Sequence, residues 1–526
     1  MSIRQTIARN TAYNAAGRLW DALSSLLLMR YVVDTVGLPA YGLWALLGSF
    51  NGYVSLLDLG IGSSFVKYIA EHAARAEDDE FSSVVSTGFF YYLVFGCALL
   101  GIGWPCVNGL VSVGEHFGLF SGTAPDDARF LLRWGLAIFA VSNCSAAFTS
   151  IQTGLQRMDV SNALSFVASL VKIGATVWFL HAGHGIRGLL WANAVSFAVF
   201  AIASVFVAFR LAPGLRLAPR YVRAQTFRKL FQFGWRAQVS KLSDLVMFRT
   251  DHVVAGVVFG TLGLVALYDL GTYLARMVRQ VPQLLLTSLL PAASDLDARE
   301  EHERLRRLYL VSTKYVAFVT VPLLVFTVGC SGGLMRTWLG QGYETSAWVL
   351  RIIAFGYVAN LVPGAGVSIA LGKGRADVQM KAGLIATVSN IALTIALVNI
   401  PFIGFWGIPL GTMFSMYLSW AWFARAMGGI VGVGAADMFR AALFWPVLAT
   451  LPGAAICGAA DWLGRGLTGF AANATSVAIC GVVFSVIYLS ALWAAPFFDS
   501  FDIALMKSLG LKWLPGYQTA RSTRRG

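Results

Sequence analysis

Apolar runs long enough to cross a bilayer recur along nearly the whole chain, at intervals of roughly 30 to 40 residues. A hydrocarbon core about 30 Å thick is crossed by about 20 helical residues, and only a segment that satisfies its own backbone can sit there. Each run is therefore expected to be a helix. About fourteen spans are read, near 11–36, 41–66, 84–106, 128–154, 161–181, 188–209, 233–258, 262–290, 311–332, 347–371, 381–400, 405–426, 438–458 and 474–495. Of the 526 residues 57% are hydrophobic and 13% charged, a charged share about half that of a soluble protein. The expected fold class is an all-α polytopic membrane protein with about 14 transmembrane helices.

A formal net charge of +14 raises the question of a nucleic-acid partner. The distribution of the charge answers it. With the N-terminus inside, about 26 of the 40 Lys and Arg fall in cytoplasmic loops and tails, and about 4 (Arg129, Arg187, Arg336, Arg465) in external loops. The bias of basic residues toward the inside accounts for the basicity, no nucleic acid is required, and both termini are expected in the cytoplasm. The opening MSIRQTIARN is not expected to be a signal peptide, because the apolar run behind it is long and holds Arg18 and Asp21. Within the basic tail, SFDIALMKSLGLKWL (500–514) has the pattern of an interfacial amphipathic helix. The six cysteines show neither metal-ligand spacing nor a disulfide framework and are read as packing residues.

The chain repeats itself. IQTGLQRMDVSN (151–162) and IALGKGRADVQM (369–380) share Ile, Gly, Arg, Asp and Val at a constant offset, each at a cytoplasmic turn between spans. GLWAL (42–46) pairs with GLVAL (263–267), and GIRGLLW (185–191) more loosely with GFWGIPL (404–410). Three co-linear matches divide the chain into an N-lobe at 1–210, a basic linker at 211–232, a C-lobe at 233–430, two extra helices at 431–495 and a cytoplasmic tail at 496–526. Two parallel six-helix lobes normally enclose a central site and work by rocking of one against the other.

Charged residues inside the spans single out that site. A basic residue facing lipid at mid-bilayer costs about 2.5–3.5 kcal/mol, so such residues should face protein or water. In WRAQVSKLSDLVMFRTD (235–251), Arg236, Ser240, Asp244, Met247 and Asp251 fall within about 80° on a helical wheel, with Lys241 beside them. In the next span Asp269, Thr272, Tyr273, Arg276, Gln280 and Gln283 form a stripe with Arg279 at its edge. Asn14, Arg18, Asp21 and Ser25 share a face of the first span, and Lys172 is a further intramembrane cation. The candidate cavity comprises Asn14, Arg18, Asp21, Lys172, Arg236, Ser240, Lys241, Asp244, Asp251, Asp269, Tyr273, Arg276, Arg279 and Gln280. Some of these charges could equally be interhelical ion pairs, Asp269 with Arg276 for example. Basic residues outnumber acidic ones in the spans, and the surplus suits an anion such as a diphosphate, which Arg binds bidentately.

Enzymatic function is disfavoured. No GxxxxGK[ST] loop or HExxH occurs, His181 and His184 read as solvated, and Glu115, His116, Asp126 and Asp127 of the longer external loop lack catalytic spacing. No catalytic residue, metal site or cofactor is expected.

LLDLGIGSSFVKYIAE (56–71) and GLQRMDVSN (154–162), in a chain of about fourteen spans, resemble the Wzx-type polysaccharide exporters of the MOP flippase superfamily, relatives of the MATE antiporters and lipid II flippases. The resemblance covers spans one to twelve. It implies a MATE-like V of two lobes and transfer of undecaprenyl-diphosphate-linked oligosaccharide repeat units from the cytoplasmic to the periplasmic leaflet of the bacterial inner membrane. It also implies membrane lipids as surroundings, and a polysaccharide polymerase and chain-length machinery as partners. No residue role is carried over from it. The acids Asp21, Asp244 and Asp251 leave room for H+ or Na+ coupling. The competing readings are an ion-coupled drug antiporter, whose cavity should be acidic, and a polytopic glycosyltransferase or polymerase.

Overall fold

A computed structural model describes residues 3–55, 60–119, 125–286, 289–499 and 502; the side chains of 3–16, 18, 19, 21, 51, 63, 236–244, 246 and 284 lie outside the description. The described chain is almost entirely helical. Its α-helices are α1 (Ile3–Val36), α2 (Leu38–Val54), α3 (Ile61–Ala74), α4 (Asp78–His116), α5 (Pro125–Gly154), α6 (Met158–His181), α7 (Gly185–Leu211), α8 (Ala224–Phe259), α9 (Leu262–Gln283), α10 (Leu289–Ala298), α11 (His302–Gly329), α12 (Ser331–Leu339), α13 (Glu344–Leu361), α14 (Gly364–Gly372), α15 (Ala376–Val398), α16 (Gly407–Val431), α17 (Ala435–Met438), α18 (Phe444–Leu463) and α19 (Phe470–Ala494). Among the described residues, nine helical stretches are long and apolar enough by themselves to cross a membrane.

Among the described residues the expected spans fall on helices, and several of them extend over more than one helix, the run at 311–332 passing from α11 into α12 at Cys330. The run at 41–66 is divided between α2 and α3, with Gly60 left-handed (φ 73°) just before α3. The run at 262–290 is divided between α9 and α10, with Pro282 in the last turn of α9 and a 3-10 turn at Leu284–Leu286. The run at 347–371 breaks between α13 and α14, where Pro363 stands before α14. Proline removes a backbone donor and crowds the preceding turn, and hydropathy alone does not register such a break.

The chain forms two compact units, Met1–Met277 with Trp338–Gly356 and Asp377–Ser419, and Val278–Thr337 with Tyr357–Ala376 and Trp420–Gly526. The first holds a core built on Ile61, Phe65, Ile69, Val85, Tyr92, Ala147, Phe148 and Ile151. The second holds one built on Cys330, Cys457, Cys480, Phe484, Tyr488 and Leu492.

The repeat extends to the backbone. Left-handed residues stand at corresponding turns about 220 residues apart: Gly37 and Gly260, Ala76 and Glu300, Gly118 and Gly340, Gln156 and Gly374, Gly185 and Gly404. The turn after α5 is closed by Arg157 N–H to Gln152 C=O (2.8 Å) and Gln156 N–H to Thr153 C=O (3.0 Å). After α14 the same pair recurs as Arg375 to Ala370 (2.8 Å) and Gly374 to Leu371 (2.9 Å). Both are Schellman closures, which satisfy the carbonyls left over at a helix end. The glycines just before these turns also act alike. A Cβ at Gly154 would lie 2.6 Å from Ile69 of α3, and one at Gly372 would lie 2.7 Å from Ala293 of α10.

Gly372→Leu should therefore cost about 1–3 kcal/mol, because a side chain there has to displace the α10 backbone. The detergent-purified variant should unfold at a lower temperature than wild type. Gly109→Leu, at a site with nothing within 4 Å, should leave that temperature unchanged.

Candidate functional site

The site grows from the α8–α9 hairpin. Gly260, left-handed at φ 61°, ends α8 and reverses the chain into α9. The reversal sets Asp251 and His252 on α8 beside Tyr268 and Asp269 on α9, and the two pairs cross-link reciprocally. Tyr268 donates its hydroxyl to Asp251 at 2.5 Å, while Nε2 of His252 meets Asp269 at 2.9 Å. The His252 and Tyr268 rings stand edge to face at 5.4 Å.

Each carboxylate then collects partners from further helices. The start of α2 packs against α9 so closely that a Cβ at Gly42 would lie 1.9 Å from the Leu262 carbonyl oxygen. That approach seats the buried Tyr41, whose hydroxyl donates to Asp269. Arg276, two turns along α9, donates to Asp269 at 3.2 Å and approaches Thr272 Oγ1 at 3.4 Å. Asp269 thus faces Tyr41, His252 and Arg276. Asp251 accepts from Thr412 of α16 at 2.6 Å, and Asn390 of α15 donates to that Thr412 hydroxyl at 2.9 Å. Both acids are buried, whereas the Arg276 side chain is 27% exposed. A carboxylate in such a place is tolerated only when paired and hydrogen-bonded.

Of the residues expected in a cavity, the structure brings Asp251, Asp269, Tyr273 and Arg276 into this neighbourhood. The Arg276 guanidinium carbon lies 5.7 Å from the Tyr273 ring, which stacks on Trp338 at 5.8 Å. Arg279 lies over Tyr357 at 5.3 Å in the second unit, and Gln280 is half-buried there. Lys172 is on an exposed face of α6. Asn14, Arg18 and Asp21 on α1, and Arg236, Ser240, Lys241 and Asp244 on α8, have side chains outside the described residues. Asp269 and Arg276, weighed as an interhelical ion pair, do pair, but within α9 rather than between helices.

Five residues missed by the sequence reading complete the site: Tyr41, His252, Tyr268, Asn390 and Thr412. A wheel drawn on one helix cannot find Tyr41 or Thr412, which reach the acids from helices distant in sequence. The adjacent pairs DH (251–252) and YD (268–269), facing across a short turn, were the one available signal. Of the acids between and beside α4 and α5, Asp126 and Glu115 both pair with Arg129 (2.8 and 3.2 Å), and Asp127 pairs with Arg187 (2.7 Å). His181 and His184 are exposed.

The fold has solved counterparts. A structure titled "Lipid II flippase MurJ, inward closed conformation" superposes with a TM-score of 0.65 at 16% identity, covering 92% of this chain and 99% of that one. An inward-facing multidrug resistance MATE family transporter of the MOP superfamily gives 0.60 at 15% identity, over 79% and 98%. The fold is thus that of the MOP superfamily transporters. The chain itself belongs to the polysaccharide biosynthesis protein family, whose description matches residues 7–297. Its relatives include a protein of Shigella flexneri described as "Putative O-antigen transporter", 19% identical over 378 residues, 70% of this chain and 86% of that one.

Asp269→Asn removes the charge that Arg276 and His252 share, and breaking a buried pair from one side costs about 3–5 kcal/mol. Tyr41→Phe deletes one neutral donor and should cost about 1–2 kcal/mol. Thermal unfolding of the purified variants checks that order, and equal losses would mean that the carboxylate charge carries no special weight.

Proposed function

We propose that the protein is a flippase that carries undecaprenyl-diphosphate-linked oligosaccharide repeat units from the cytoplasmic to the periplasmic leaflet of the bacterial inner membrane. Membership in the polysaccharide biosynthesis family carries this reading, and the flippase and O-antigen transporter among its relatives support it. In this account both termini are cytoplasmic. The lobes at 1–210 and 233–430 alternate access to a cationic cavity, and a periplasmic polymerase consumes the product.

The site supplies a chemical rationale. A diphosphate presents several oxygens to a guanidinium and binds it more strongly than a single carboxylate oxygen does. Arg276 is the partly exposed member of its pair, so an arriving diphosphate competes with Asp269 for it. Asp269 would keep Tyr41 and His252 while Arg276 is engaged elsewhere. Arg18, Arg236 and Lys241 are the further cations of the proposed cavity.

Asp251 is the proposed coupling residue. Its carboxylate, with the Thr412 hydroxyl and the Asn390 amide, forms a buried oxygen-rich cluster suited to H+ or Na+. Thr394, one turn beyond Asn390, has a buried hydroxyl without a partner among the described residues. Asp251→Asn should make transport insensitive to the driving ion while leaving the protein folded. A variant that keeps the wild-type Na+ and pH dependence would remove Asp251 from the coupling role.

Lipid extracts of cells lacking the protein test the main reading. Complete undecaprenyl-diphosphate-linked repeat units should accumulate, and wild-type protein should clear them. Arg276→Ala and Arg18→Ala, at equal protein level, should lower surface polysaccharide at least about tenfold. Normal polysaccharide in both variants would sink the cavity assignment. Drug resistance that rises with expression, without any lipid-linked intermediate, would favour the antiporter instead.

A further inference from the structure

The six cysteines are not equivalent in space. Cys97 and Cys106 are exposed and Cys144 half-buried, while Cys330, Cys457 and Cys480 converge. The three Sγ atoms all lie within 4.8 Å of one another, at 2%, 0% and 7% exposure. They come from three separate elements. Cys330 joins α11 to α12, Cys457 sits near the end of α18, and Cys480 lies in the first half of α19.

Several features hold the sulfurs together. A Cβ at Gly329 would lie 2.9 Å from the Cys457 Cβ, so glycine there admits α18 against the end of α11. The Cys457 thiol points toward the Cys480 carbonyl oxygen at 3.8 Å. Around the triad the core is apolar, with Ala449, Phe484 and Tyr488. One turn beyond Cys457, Asp461 is held by the Gly332 and Gly333 amides (3.2 and 2.6 Å) and by Arg336 (2.9 Å). That carboxylate already has its partners, which leaves the sulfurs as the donor set.

We propose that Cys330, Cys457 and Cys480 form a three-sulfur site for a soft, thiophilic d10 metal ion of the Zn(II)/Cu(I) class. Metal–sulfur bonds of about 2.3 Å require sulfurs about 4 Å apart in a three-sulfur site, so the observed spacing closes with small side-chain adjustments. Binding breaks an S–H bond at each sulfur that becomes a thiolate. The proton goes to solvent, the sulfur lone pair goes to the ion, and nothing is oxidised or reduced. The bound ion ties α18 and α19 to the end of α11, and so braces the two helices beyond the repeat. This site is independent of the transported substrate.

The test uses the full chain carrying Cys97→Ser, Cys106→Ser and Cys144→Ser, purified in detergent under reducing conditions. It is loaded separately with Zn2+, Cu+ and Mg2+, desalted, and analysed for metal per chain. One equivalent of Zn2+ or Cu+ should be retained, the preferred ion identifying the member of the class, with no Mg2+ and a raised unfolding temperature. Adding Cys457→Ser should weaken retention at least about tenfold and abolish the temperature rise. Should that variant fail to fold, Cys480→Ser carries the same comparison. Retention of neither soft ion, retention unaffected by the serine, or equal retention of Mg2+ would overturn the site. So would a mass two hydrogens lower before reduction, which would show a disulfide within the triad.

Discussion

A carboxylate as deeply buried as Asp269 has no water to fall back on, and the geometry around it follows from that constraint. Moving an isolated ion of this size into a low-dielectric interior costs of the order of 20 kcal/mol before relaxation, so the surrounding chain has to supply donors in its place. Here they come from three helices: Tyr41 on α2, His252 on α8 and Arg276 on α9 itself. The reciprocal link from Tyr268 to Asp251 fixes the second acid by the same means. Because the two links cross, α8 cannot slide along α9 without breaking both. One requirement, that buried charge be satisfied, thereby sets the register of the hairpin and the seat of α2 upon it.

The same demand governs the rest of the fold at the level of the backbone. A helix leaves carbonyls without partners at its end, and near a bilayer these have to be closed locally. The chain solves this with left-handed turns and does so in the same order in both halves. Three of these positions are Ala76, Gln156 and Glu300 rather than glycine, although a side chain in that conformation is strained. A turn kept against its residue preference indicates that the closure outweighs the local cost.

How far the sequence discloses this depends on the distance between partners along the chain. Asp269 and Arg276 share one helix, so a wheel places them together. Thr412 stands far along the chain from Asp251, and Tyr41 farther still from Asp269, and no local periodicity links them. Most spans and the repeated Gly-x-x-Arg-x-Asp turn could be read because both are local signals. The interruptions at Gly60, Pro282 and Pro363 were less visible, since the apolar runs continue across them. Three cysteines more than a hundred residues apart at their extremes lack any spacing rule, and only the packing of α11, α18 and α19 unites them.

Burial separates pairs that brace the molecule from pairs that can exchange partners. Arg336 and Asp461 are exposed by 12% and 10%, and Asn473 and two backbone amides complete their network, so neither has an avenue to a new ligand. Lys314 and Asp502 are closed in the same way, at 12% and 2%. The Asp269 pair is asymmetric, with the acid at 9% and Arg276 at 27%. Asp269 keeps two other partners if Arg276 turns away, so the cost of leaving a bare buried carboxylate is reduced. The proposed anion site would use that arrangement, with a partly exposed cation whose resting counter-charge is held by other partners.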